Sequence, residues 1–265
     1  MKSHLILLVA VFQAYLVSAQ SDRAPLFTSF DGTQIHYDTI GQGRPVVLLH
    51  GFITNGDSWK RAAVRQQLAD AGFKVVTLDL RGNGRSDRPH EAAAYRNDAE
   101  LKDVMALMKH LGLSNYDVVG YSRGAILTAR LLTLDKQVRR AVMGGMSADF
   151  TQPDWYRRKN FYEALTRPGS HPELQSAVDY AKKSGADTVV LARLQEFQPQ
   201  TTMAELRKVR VPVLVVNGDK DHDNGDPQTL VDAIPGAKLA LVPGDHGGAM
   251  RTPEFAQAVV AFLKK

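Results

Sequence analysis

The 265-residue chain sets 33 Lys and Arg against 28 Asp and Glu, a formal net charge of +5, and contains no cysteine. The missing thiols exclude disulfides, a cysteine nucleophile and a thiolate zinc site. The basic residues are scattered rather than massed, which describes a solvated surface and not a nucleic-acid footprint.

Residues 1–19 read as a secretory signal. Lys2 supplies the positive start, Leu5 to Phe12 an unbroken apolar run, and Val17-Ser18-Ala19 a small-residue cleavage site before Gln20. The run is shorter than the about 20 apolar residues of a membrane span. The mature protein is therefore expected in the periplasm or outside the cell, with no stable membrane anchor. Residues 20–265 are long enough for one α/β domain with a sizeable core.

Leu26 to Phe30 and Gln34 to Ile40 alternate around Asp31-Gly32, which predicts a β-hairpin. Pro45 to Leu49 is a continuous apolar run, as in a strand buried on both faces, and ends at His50-Gly51-Phe52. Asp57 to Ala71 has helical spacing, with Asp57 as its N-cap and Gly72 closing it. Lys74 to Leu80 is a buried strand, followed by the turn Arg81 to Ser86. Leu101, Val104, Met105, Met108 and Leu111 mark an amphipathic helix ending at Gly112.

Tyr116 to Val119 is the next apolar strand and breaks at Gly120. A helix begins after Gly124, so Ser122 sits on the turn between them in a Gly-x-Ser-x-Gly pattern. A serine on a sharp strand-to-helix turn carries backbone strain and is thrust out of the sheet end. The flanking positions must lack bulk because strand and helix pass close together. The following helix points N–H groups and a positive dipole end at the hydroxyl.

Val138 to Met143 is a further strand. Residues 147–209 break the alternation; they are polar, hold Trp155, Tyr156, Phe161, Tyr162 and Phe197, and predict several short helices. A strand over Val211 to Asn217, a helix near Thr229 to Ile234, a strand over Lys238 to Val242 and a helix from Pro253 to Leu263 complete the chain. Alternating strands and helices predict a mostly parallel sheet with helices on both faces. The 147–209 insertion is expected to lie as a helical lid over the carboxyl ends of the strands.

With these motifs in this order, the chain resembles the α/β-hydrolase superfamily in its single-domain, lidded form. The resemblance covers residues 26–265. It rests on the strand from Gly41 to Gly51, the Asp79-Leu80-Arg81-Gly82-Asn83-Gly84-Arg85-Ser86 turn, the Ser122 elbow, Asn217-Gly218-Asp219-Lys220-Asp221 and Pro243-Gly244-Asp245-His246-Gly247. It implies a serine hydrolase with Ser122 as nucleophile and His246 as base. Two aspartates compete for the acid. Family members carry it three residues after the strand-ending glycine, which selects Asp221 and leaves Asp219 to cap the turn. The oxyanion hole would be the backbone N–H groups of Phe52 and Arg123.

A serine hydroxyl needs a base near pKa 7, and that base needs a carboxylate to fix its tautomer. Asp79 is expected to hold the Gly82–Gly84 turn, and Asp149 is set aside as an acid. The Arg123 side chain needs a carboxylate partner, with Asp149 or Asp154 as candidates, or else contacts a substrate carboxylate. Trp155, Tyr156, Phe161 and Tyr162 are candidate pocket residues. No metal cluster or cofactor fingerprint is present, so none is expected.

The implied activity is cleavage of small or medium carboxylic esters through an acyl-enzyme, by a secreted protein whose partner is a small-molecule ester. Lactone, C–C bond or peracid chemistry on the same fold is the alternative. A non-catalytic ligand receptor is the second.

Overall fold

The computed structural model describes residues 25–265. The predicted signal lies outside the described residues. Among the described residues, eight strands form one sheet: β1 (Leu26–Thr28), β2 (Gln34–Ile40), β3 (Arg44–Leu49), β4 (Phe73–Leu78), β5 (Tyr116–Tyr121), β6 (Val138–Gly144), β7 (Val213–Gly218) and β8 (Lys238–Val242). Their spatial order is β1-β2-β4-β3-β5-β6-β7-β8. The β1/β2 and β2/β4 pairs are antiparallel and the others parallel. The chain runs outward from β3 to β4 and then returns to β5 on the other side of β3. The strand order therefore reverses between β3 and β5, and ligands of such sheets bind outside the carboxyl ends of the strands at this point.

Among the described residues, ten helices cover the sheet or the insertion: α1 (Asp57–Lys60), α2 (Ala63–Asp70), α3 (Ala99–His110), α4 (Arg123–Leu134), α5 (Tyr156–Thr166), α6 (Gln175–Lys183), α7 (Thr188–Glu196), α8 (Met203–Leu206), α9 (Gln228–Ala233) and α10 (Pro253–Leu263). Successive residues of β3 serve opposite cores, which is why that strand is apolar throughout. Val47 and Leu49 pack with Leu101 and Leu107 of α3 and Leu127 and Leu131 of α4. Val46 and Leu48 pack with Trp59, Leu68, Phe255 and Val259 on the other face. A third, smaller core joins Ala181, Val190, Leu191 and Leu194 of the insertion to Tyr95.

The single helix expected over Asp57 to Ala71 is broken. Ala62 is extended between α1 and α2 (φ −99°, ψ 134°). On one continuous helix Trp59 and Val64 would point about 140° apart, whereas both are fully buried in the same core. The break re-aims them together. Asp57 is the first helical residue and not the cap; Gly56 holds that position. His36 lies in β2, which has a neighbour on each side because β1 forms the edge.

Candidate active site

Ser122 follows β5 and precedes α4 with φ 56° and ψ −121°. Such a conformation costs about 1–3 kcal/mol in a residue with a side chain and persists only when its surroundings impose it. Here they do. The Ser122 N–H is held by the Gly144 carbonyl of the neighbouring strand at 2.8 Å. A Cβ on Gly120 would lie 2.1 Å from the Gly124 carbonyl oxygen, and one on Gly124 2.1 Å from the Leu49 carbonyl oxygen. The two glycines are required because strand and helix backbones meet without room for a methyl group.

Two loops bring the partners. Asp221 lies just beyond β7 and is buried; His246 lies in the loop after β8. His246 Nδ1 stands 2.8 Å from Asp221 Oδ2, and Nε2 stands 3.0 Å from Ser122 Oγ. With the Nδ1 proton donated to the carboxylate, Nε2 is left to accept the hydroxyl proton. The ring is held from several directions. Tyr121 Oη donates to the His246 carbonyl at 2.8 Å. Asn224 Nδ2 donates to the Gly145 carbonyl at 2.9 Å and lies 3.4 Å from His246 Nδ1. Asp219 does something else: its Oδ1 accepts the Gly244 N–H at 2.9 Å. It ties the histidine loop to the end of β7.

The Phe52 and Arg123 N–H groups have no protein acceptor among the described residues. Position 51 is a close approach to the serine: a Cβ there would lie 3.3 Å from Ser122 Cβ. Buried His50 supports this turn. Its Nε2 accepts the Leu80 N–H at 3.1 Å, so its Nδ1 is left to donate to the Gly51 carbonyl at 2.9 Å. Burial holds this imidazole below its ordinary pKa, consistent with the neutral, two-sided bonding.

Asp79 is structural in geometry. Its carboxylate accepts N–H groups from Gly56 at 2.7 Å and from Arg85 at 2.9 Å, with His36 Nδ1 at 3.1 Å. It therefore clamps the Gly82–Ser86 turn from Arg85 rather than from Gly82 to Gly84.

The Arg123 guanidinium does have a carboxylate partner, but neither Asp149 nor Asp154. Glu100 of α3 takes Nη1 at 2.6 Å and Nη2 at 2.5 Å, and the Leu194 carbonyl accepts from Nη2 at 3.2 Å. Asp149 instead packs against Gly225 and Ser147, and Asp154 is exposed. Glu100 escaped sequence reading because it sits in the first turn of α3, where a surface-facing carboxylate is the ordinary case.

A cleft of about 140 Å³ opens at the serine. Trp155 and Phe161 line it as expected, and Phe161 meets the Phe52 ring edge-on with centroids 5.4 Å apart. The other two insertion aromatics are elsewhere. Tyr156 is 63% exposed, and Tyr162 lines an adjoining cavity that shares Arg158 and Gln195 with the cleft. They lie next in sequence to Trp155 and Phe161, and on a helix adjacent residues point about 100° apart. Sequence reading missed Met146, Arg158, Gln195, Gln198 and Asn224 in the wall. A signal existed for Gln195. Leu191, Leu194 and Gln195 follow one stripe of α7, and a polar residue on an apolar stripe marks a lined cavity; Gln198 lies two residues beyond the helix end.

A family model described as the alpha/beta hydrolase fold matches residues 44–167. A 111-residue stretch is 39% identical to a chloroperoxidase-named protein of Synechocystis sp.; it covers 41% of this chain and 39% of that one. The non-heme chloroperoxidase CPO-A1 of Kitasatospora aureofaciens is 25% identical over 279 residues, covering 91% of this chain and all of the relative. Among solved structures, the esterase RhEst1 of Rhodococcus sp. ECU1013 superposes with a TM-score of 0.69 at 26% identity, covering 91% of this chain and 98% of the esterase.

Proposed function

From a chain that belongs to the α/β-hydrolase superfamily as a single-domain hydrolase, we propose a serine hydrolase that cleaves short-chain carboxylic esters through an acyl-enzyme. The observation that carries the reading is the unbroken line from Asp221 Oδ2 through His246 to Ser122 Oγ, with steps of 2.8 and 3.0 Å. Ser122 Oγ attacks the ester carbonyl as its proton passes to His246 Nε2. The carbonyl oxygen becomes an oxyanion facing the Phe52 and Arg123 N–H groups. Each such donor is worth about 3 kcal/mol in the transition state. His246 then protonates the departing alcohol. Water, deprotonated by His246, attacks the acyl-serine and releases the acid. Asp221 stabilises the imidazolium.

The size of the cleft supports the short-chain reading. A free volume of about 140 Å³ is close to the roughly 150 Å³ that holds a benzene-sized guest. The helical insertion, with Trp155 and Phe161 on the cleft wall, acts as the lid that sets acyl fit. Export after cleavage near Ala19 belongs to the same proposal.

A second reading is favoured by the chloroperoxidase names of relatives. In it hydrogen peroxide replaces water at the acyl-serine, yielding a peracid and free Ser122. Both readings run through the same acyl-enzyme.

The test is a panel of p-nitrophenyl esters of increasing acyl length, run with and without hydrogen peroxide, against the Ser122→Ala variant. The proposal expects fastest turnover at two to four acyl carbons and loss of activity to background in the variant. Equal rates in wild type and variant would overturn it, and would leave the ligand-receptor alternative standing. Peracid in the peroxide arm at rates above hydrolysis would select the second reading.

A further inference from the structure

Three side chains that line the cleft carry N–H groups without acceptors. Arg123, Arg158 and Gln198 all line the cleft, and each carries a buried nitrogen with no hydrogen-bond partner: Nε in the arginines and Nε2 in the glutamine. A buried donor without an acceptor is unfavourable, so a polar cleft wall with several of them is built for acceptors that arrive with a ligand. Gln198 and Arg123 are each 4% exposed, so solvent does not fill the role freely.

The three differ in charge balance. The Arg123 guanidinium is neutralised by Glu100 at 2.5 Å. Arg157, also on the wall, has Asp223 at 3.7 Å and lies over the Phe161 ring. Arg158 has no carboxylate within 4.0 Å among the described residues; its Nη2 donates only to the Pro153 carbonyl, at 2.8 Å. The nearby Glu196 is occupied, since it takes Arg193 Nη1 at 2.6 Å. Arg158 is thus an uncompensated cation on a cleft wall that also carries an unsatisfied amide, Gln198.

We propose that the substrate carries a second, free carboxylate, taken by the Arg158 guanidinium together with the Gln198 side-chain amide. Guanidinium and carboxylate are matched in charge and in planar donor–acceptor geometry. The cleft of about 140 Å³ fits half-esters of short dicarboxylic acids, of about four or five carbons by the same benzene-sized comparison. The free carboxylate would sit against the insertion while the ester carbonyl meets Ser122. This inference rests on the serine-hydrolase reading for the role of the ester, but the binding it describes is measurable without turnover.

The experiment titrates the Ser122→Ala variant calorimetrically with monomethyl glutarate and with its neutral counterpart, dimethyl glutarate. The monoanion is expected to bind at least tenfold more tightly, with the difference shrinking in 0.5 M salt. In Ser122→Ala/Arg158→Met the preference is expected to vanish, and Ser122→Ala/Arg158→Lys to retain part of it. Equal affinity for the two esters would overturn the proposal, as would a preference that survives Arg158→Met. Should Arg158→Met fail to fold, the preference in the Ser122→Ala parent and its reduction in the lysine variant decide alone. In the active protein, the ratio of kcat/KM for p-nitrophenyl hemiglutarate over p-nitrophenyl valerate should fall at least tenfold in Arg158→Met. Wild type that hydrolyses neither ester refutes the hydrolase reading, whereas hydrolysis of both without discrimination refutes only the carboxylate subsite.

Discussion

Ser122 and Arg158 line the same cleft, yet the chain secures them by different means. Ser122 is fixed by backbone. Its N–H is bonded across to Gly144, its flanking glycines let a helix and a strand touch, and its partners stand on loops tied to strand ends by Asp219 and Tyr121. Arg158 stands on α5, in an insertion that packs through side chains and a small core of its own with Tyr95. The first arrangement tolerates almost no change in residue type. The second accepts many sequences that pack, which is where a fold varies its substrate while keeping its chemistry.

The sharpest way to break this comparison is at the acid. Asp221→Asn leaves His246 without the partner that fixes its tautomer, and kcat should fall by roughly 10⁴, the size of the effect in serine proteases. Asp219→Asn keeps an Oδ1 acceptor for the Gly244 N–H but removes its charge, and should mainly lower thermal stability, by at most about 1 kcal/mol. Steady-state kinetics and thermal melts on both variants check the pair. Asp219→Asn inactive beside Asp221→Asn active would move the acid to the other carboxylate and undo the assignment.

A smaller effect is expected at the contact between the two regions. Phe161 touches Phe52 edge-on, so the insertion meets the oxyanion turn there. Phe161→Ala should enlarge the cleft and shift the preferred acyl length upward, with about tenfold loss on acetyl esters, the scale of one aromatic contact and its buried area. The chain-length profile of p-nitrophenyl esters measures this. An unchanged profile would mean that the insertion does not set acyl fit.

The same division explains what could be read from the chain. The inner parallel strands were visible, because a strand buried on both faces must be an apolar run, whereas the half-exposed edge strand β8 was visible from its place in the alternation of strands and helices. The elbow was visible because backbone contact admits only glycine at positions 120 and 124. The break at Ala62 was not, since helical spacing carries no record of which core Trp59 and Val64 must share. Glu100 as the Arg123 partner was equally hidden, because α3 and the elbow meet only in the folded chain. In the insertion, Trp155 and Phe161 line the cleft and Tyr156 and Tyr162 do not. Aromatic type is visible in a sequence, but the facing of a short helix of weak amphipathic pattern is set by packing. Asn224 and Gln198 needed the assembled cleft before their burial meant anything.

The central claim is that Ser122 is a nucleophile activated by the Asp221–His246 pair, and a fluorophosphonate probe tests it most directly. Peptide mass analysis should find one adduct per chain, on Ser122, formed orders of magnitude more slowly in Asp221→Asn and absent in Ser122→Ala. Folded wild-type protein that turns over esters with Ser122 unlabelled, or with the adduct on another residue, would contradict the account.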